Sequence, residues 1–137
     1  MRILGLDLGS RTCGIAVSDP MGMIARTVET FRFAEDDYAA ACERVITLCK
    51  ELKVDKIVLG LPKHMNGDVG IRGEVSIEFK DRLNQLIDIP VILIDERLTT
   101  VAATKLLIAA DVSRKKRKQV VDQVAAVQIL QGYLDSI

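Results

Sequence analysis

A chain of 137 residues with 49% hydrophobic and 28% charged residues has the make-up of a globular protein long enough to bury a core. Lys plus Arg and Asp plus Glu each total 19, so the whole-chain charge selects no partner and only a local patch could do so. No apolar run approaches the ~20 residues of a membrane span, and the N-terminus has no basic region leading into an apolar segment.

The first third has the alternation of strands. Residues 2–8 are apolar and end in Gly9-Ser10, and a strand pattern resumes over 14–18, which predicts a hairpin. Asp19-Pro20-Met21-Gly22 has the composition of a turn, and a third, less regular strand is expected over 24–33. The period then changes. Asp36 is placed to cap a helix with Tyr38, Ala41, Cys42, Val45, Leu48, Cys49 and Leu52 on its inner face. The three cysteines, Cys13, Cys42 and Cys49, lack CxxC spacing, which argues against a disulfide framework or zinc site. Cys42 and Cys49 are expected in the core. The expected home is a reducing cytoplasm.

KIVLGL, residues 56–61, is a short continuous apolar run of the kind found in buried parallel strands, and it enters the loop PKHMNGDVG. A second helix should follow with Ile71, Val75, Phe79, Leu83, Leu86 and Ile87 inward. Pro90 precedes VILI, a further buried strand, and Thr99 or Thr100 can cap a third helix running to Ala110. The segment DVSRKKRKQ is polar and basic without apolar periodicity, so a mobile connection is expected, with the last helix starting near Lys118 and running to Leu134. No repeat and no internal boundary is visible, which implies one domain over 1–137. Three strands followed by alternating helix and strand predict a mixed sheet with helices on its faces.

Four acids stand out against this layout. Asp7 shares a strand face with Ile3 and Gly5. Asp95 and Glu96 end the VILI strand, at the carboxyl edge where open α/β sheets build their sites. Asp122 has Ala125, Ala126, Ile129 and Tyr133 at helical spacing behind it, so it should point toward the protein. Each alone has an ordinary explanation: Asp7 could accept from the following turn, Glu96 could pair with Arg97 or cap a helix, and Asp122 could favour a first turn. Together they form a cluster without a matching cluster of bases, and hard oxygen ligands in that number suit Mg²⁺ or Mn²⁺.

The stretches GLDLGSRTCGIAVSDPMG, LGLPKHMNG, DERLTT and VDQVAAVQILQGYL resemble, in this order, the YqgF family of Holliday-junction-resolvase-like proteins, also described as candidate pre-16S rRNA nucleases. The resemblance spans nearly the whole chain. It implies an α/β fold of the RNase H-like superfamily, a five-stranded mixed sheet with three antiparallel strands first and parallel strands after, flanked by helices. It also implies that Asp7, Glu96 and Asp122 are the catalytic acids and the ligands of Mg²⁺ or Mn²⁺, with Asp95 in reserve because strand alternation turns it away from Glu96. Two departures touch the substrate more than the chemistry. Arg11, Thr12 and Cys13 stand where the family commonly has a basic pair and Ile, and His64 stands where Asn is frequent. His64 is the one histidine, in a polar loop, either a surface residue or a contact to substrate.

The run Arg114, Lys115, Lys116, Arg117 and Lys118 precedes the helix of Asp122 and could hold phosphates beside a scissile bond, with Arg11, Lys63 and Arg97 extending the surface. A solvated stretch is the plain alternative. Aromatics make up 4%, so base stacking is not expected and backbone or shape recognition is. The implied partners are pre-rRNA or structured, branched DNA and ribosomal precursor particles, with no membrane; a homodimer is compatible with the sequence. Two other classes compete. An early DxGS resembles the phosphate loop of sugar kinases, but those need two such domains and a second phosphate loop. A non-catalytic ribosome-assembly or transcription-associated binding module is the more serious rival to an endonuclease.

Overall fold

The computed structural model describes residues 1–62, 69–95 and 114–137, with side chains described outside 114–123. Near-continuous apolar runs, buried on both faces, set the middle of the sheet. β1 (Ile3–Leu8), β2 (Thr12–Ser18) and β3 (Ala25–Arg32) run antiparallel in succession, and the Gly9 N–H donates to the Thr12 carbonyl at 2.7 Å to close the first hairpin. β4 (Lys56–Leu61) then pairs parallel with β1, and β5 (Val91–Asp95) parallel with β4. The order is β3-β2-β1-β4-β5, the five-stranded mixed sheet that the sequence implies.

Helices cover both faces. Leu4, Leu6, Leu8, Ile57 and Leu59 pack on α1 (Tyr38–Leu52) and α2 (Ile71–Leu86) through Ala41, Val45, Leu48, Phe79 and Leu83. On the other face Ile3, Ala16 and Val58 meet Ala126, Ile129, Leu130 and Leu134 of α3 (Arg114–Ser136). Cys13, Cys42 and Cys49 are all buried on the α1–α2 side, as expected of the last two.

Three local expectations need correction. The cap of α1 is Asp37, whose carboxylate accepts from the Ala40 N–H at 3.3 Å; Asp36 has left-handed φ of 61° and accepts a hydrogen bond from the Tyr38 hydroxyl instead. In α2 the inward residues are Gly73, Ser76, Phe79 and Leu83, whereas Ile71 and Leu86 are 80% and 60% exposed. Small residues set this phase. A Cβ on Gly73 would lie 2.7 Å from the Pro62 carbonyl oxygen, so the helix turns its smallest side toward the end of β4. Finally, α3 begins at Arg114, and the basic run forms its first turns. Arg, Lys and Gln are strong helix formers, and like charges at (i, i+4) cost only a few tenths of a kcal/mol, so charge density alone does not break a helix. The expected helix from Thr99 or Thr100 lies outside the described residues.

Candidate active site

Asp7 is the penultimate residue of β1, the middle strand, and is half-buried. Leu4, Leu6 and Leu8 belong to the α1–α2 side and Ile3 to the α3 side, so alternation puts Asp7 on the face of α3. Its neighbours on that face are bare. Gly14 of β2 is directly opposite it, and the β1–β4 register, which pairs Leu6 with Leu59, continues to Gly60. Residues opposite one another share a face, so the carboxylate stands between two positions that carry no side chain.

Two residues earlier, Gly5 brings α3 against β1. A Cβ there would lie 2.7 Å from the Leu130 Cβ and 3.1 Å from the Ala126 carbonyl oxygen. The helix runs antiparallel to β1. Its C-terminal half is fastened where β3 and β4 begin: Lys56 Nζ donates to the Tyr133 hydroxyl at 2.9 Å, and the Gln131 side-chain carbonyl accepts from the Ala25 N–H at 2.9 Å. The N-terminal half therefore heads for the strand ends. From Ala126 to position 122 a helix advances about 6 Å, and from Gly5 to Asp7 a strand advances about 6.6 Å. The backbone of position 122 thus comes level with Asp7, and positions 114–118 lie farther along the helix, beyond the end of β1.

On β5, Ile92 and Ile94 pack with the α3 cluster and Leu93 with the other. Asp95 follows the side of Leu93, opposite to that of Asp7, which disfavours it as the reserve ligand. Glu96, Arg97, Lys63 and His64 lie outside the described residues. Among the described residues no three His, Cys, Asp or Glu side chains group around a cation position; of the three expected acids, only Asp7 has a described side chain. Asp7 itself, a half-buried carboxylate between two glycine positions, is a hard oxygen donor of the kind a divalent ion takes.

Arg11, at the tip of the β1–β2 hairpin, is on the same edge, exposed, and paired with Glu35 at 3.2 Å. Beneath the sheet Cys13 is fully buried, and burial, then the Asp7 charge, pushes its thiol far above the ordinary range. Three features escaped sequence reasoning. The roles of Gly14 and Gly60 emerge only with the register. Arg72, at the start of α2, reaches the Leu8 carbonyl with Nη2 at 3.4 Å, and one arginine in a helix gives no periodic signal.

A mixed sheet in this order with an acid near the end of its central strand is the architecture of RNase H-like nucleases. The chain belongs to the RuvX family, described as Holliday junction resolvase, whose model matches residues 1–136. It is 58% identical over 139 residues to a Bacillus subtilis protein named "Putative pre-16S rRNA nuclease", with 100% of this chain and 99% of that one covered. Among solved structures, the fowlpox virus Holliday junction resolvase is similar at TM-score 0.63 and 15% identity, covering 100% of both chains. Thermus thermophilus RuvC in complex with Holliday junction substrate follows at TM-score 0.61 and 12% identity, covering 99% of this chain and 97% of that one. The chain is thus an enzyme of the nuclease class with the resolvase fold. Among the described residues no helix is long and apolar enough to cross a membrane.

Proposed function

We propose that this protein is a metal-dependent endonuclease that hydrolyses phosphodiester bonds in the 5′-end maturation of pre-16S rRNA, in the cytoplasm, with branched DNA as its second substrate class. The observation that carries the reading is Asp7, a carboxylate on the central strand, facing α3 between Gly14 and Gly60. Asp7, Glu96 and Asp122 would hold Mg²⁺ or Mn²⁺. Bound there, such an ion promotes ionisation of water and stabilises charge on the scissile phosphate. The chain's own residues supply the rest. The glycines beside Asp7 let a sugar–phosphate backbone approach the acid. Arg11, Lys63, Arg97 and the basic start of α3, Arg114, Lys115, Lys116, Arg117 and Lys118, would neutralise the phosphates on either side. With aromatics at 4%, recognition rests on backbone and shape, not on base stacking.

The test offers the purified protein a labelled pre-16S rRNA fragment and a four-way DNA junction, each with Mg²⁺, Mn²⁺ or chelator. Cleavage that needs the ion and disappears in Asp7→Asn is expected, with the rRNA fragment preferred. Binding without cleavage by the wild-type protein under every condition would refute the enzyme and leave a ribosome-assembly binding module.

A further inference from the structure

The ladder between β1 and β4 lacks a donor next to Asp7. The Gly9 N–H turns toward β2, where it meets Thr12, so the Leu8 carbonyl of the same peptide unit points the other way, toward β4. Pairing from Ile3 with Lys56 to Leu6 with Leu59, continued by two residues, sets Leu8 beside Leu61. The donor due to the Leu8 carbonyl is then residue 62, which is proline and has no N–H.

Arg72 stands in for it. Half-buried at the start of α2, it donates from Nη2 to the Leu8 carbonyl at 3.4 Å and from Nη1 to the Tyr38 hydroxyl at 3.2 Å. Tyr38 is itself fixed. Its hydroxyl donates to Asp36 at 3.0 Å, and its ring meets Phe33 edge-on with centroids 6.0 Å apart. A planar guanidinium can serve two acceptors in set directions at once, which a lysine ammonium on a flexible stem does less well.

We propose that Arg72 is a positioning residue for the nuclease site: it supplies the ladder bond that Pro62 cannot, and so holds the peptide that follows Asp7 and the direction of the Asp7 carboxylate. The proposal rests on the metal-nuclease reading above. Constellations of this kind need their groups held to within about 0.5 Å. On the β2 side the strand end is held by the Asp7–Gly14 and Leu8–Cys13 pairing and by the Gly9–Thr12 bond, and on the β4 side Arg72 holds the Leu8 carbonyl that Pro62 cannot.

The experiment compares wild type, Arg72→Gln, Arg72→Lys, Tyr38→Phe and Asp7→Asn in three measurements. These are Mn²⁺ affinity from the free-ion paramagnetic resonance signal, cleavage rate against Mg²⁺ concentration, and thermal midpoint. Arg72→Gln should raise the Mn²⁺ Kd and the half-maximal Mg²⁺ concentration about tenfold, the lower end of what groups supporting a metal ligand contribute. Saturating Mg²⁺ should restore most of kcat. Arg72→Lys should fall between Arg72→Gln and wild type, and Tyr38→Phe should shift the same quantities less. Should Arg72→Gln fail to fold, Tyr38→Phe carries the test, since it removes a single hydroxyl. Wild-type Mn²⁺ affinity and Mg²⁺ dependence in Arg72→Gln would overturn the proposal, as would a loss confined to kcat that tracks the thermal midpoint. If Asp7→Asn loses Mn²⁺ while Arg72→Gln keeps it, only the positioning role fails. If wild type binds no Mn²⁺ and Asp7→Asn matches it, the nuclease reading fails first.

Discussion

Gly5→Ala probes the seam that carries α3 past the sheet. The added Cβ would stand 2.7 Å from the Leu130 Cβ and 3.1 Å from the Ala126 carbonyl oxygen. Carbon atoms in ordinary contact lie about 3.5–4.0 Å apart, so α3 must withdraw by about 1 Å. Overpacking of this kind costs about 1–3 kcal/mol. Unfolding entropy of about 2.1 cal/mol/K per residue, over 137 residues, makes that a fall in melting temperature of about 4–10 °C. Activity should drop further than stability implies, because a misplacement of about 1 Å can cost about 10²-fold in rate. Gly132→Ala is the control. It changes the same helix at an exposed position where an added Cβ meets nothing within 4 Å, and it should stabilise by about 0.5–1 kcal/mol with cleavage unchanged. Thermal melts by circular dichroism and cleavage rates at 25 °C compare the two. A Gly5→Ala protein that melts and cleaves like wild type would mean that α3 does not lie against β1 in this way.

Three further outcomes are expected. Mg²⁺ or Mn²⁺ at a hundred times its Kd should stabilise the wild type by about 2.7 kcal/mol, and Asp7→Asn should forfeit most of that; equal shifts in both proteins by differential scanning fluorimetry would remove Asp7 from the ligands. Changing Lys115, Lys116 and Arg117 together to Gln keeps helix propensity, so the melting temperature should hold while the salt dependence of RNA binding flattens by about 0.7–0.9 log units per lost phosphate contact, and an unchanged slope in filter binding would return the run to plain solvation. Burial raises the Cys42 and Cys49 thiols from 9.0 to about 11. Between pH 9 and 11 the unfolded chain loses those protons and the folded chain keeps them, so stability should fall as pH rises through that window. Native protein should also resist alkylation at pH 8, by mass spectrometry, where a thiol at 11 is about one-thousandth ionised.

The sheet was legible because most of its strands are short, near-continuous apolar runs between turn residues, and KIVLGL matches β4 residue for residue. Asp7 stands out in the sequence because a carboxylate in such a run is expensive to bury, and the structure places it half-buried on the middle strand. What failed depended on contacts between elements. Apolar counting puts Phe79 and Leu83 inside α2, as found, but also Ile71 and Leu86, whereas the other buried positions are Gly73 and Ser76, whose smallness is no hydrophobic signal. The basic run has no apolar spacing and so reads as a loop, yet it is helical, because its residues are strong helix formers whatever their spacing. Gly14, Gly60 and Arg72 take their meaning from register and from a missing proline donor, and both require knowing which strand lies beside which.

The two faces of the sheet divide the work, and this explains why a carboxylate can sit on the middle strand at all. Among the described residues, the α1–α2 face holds an apolar cluster with Phe79 and Leu83 from one helix and Val45 and Leu48 from the other. Among the described residues, the α3-face cluster joins Ile3, Ala16 and Val58 to Ala126, Ile129, Leu130 and Leu134, and Gly5, Gly14 and Gly60 lie on the same face. The same lack of side chains has two effects. At Gly5 it draws the helix in, and at Gly14 and Gly60 it leaves the two strand positions beside Asp7 without side chains. A bulkier residue at either flanking position would fill the space beside Asp7, and a bulkier one at Gly5 would carry the α3 backbone away from it. Stability on that face and geometry at the acid are therefore set by the same glycines.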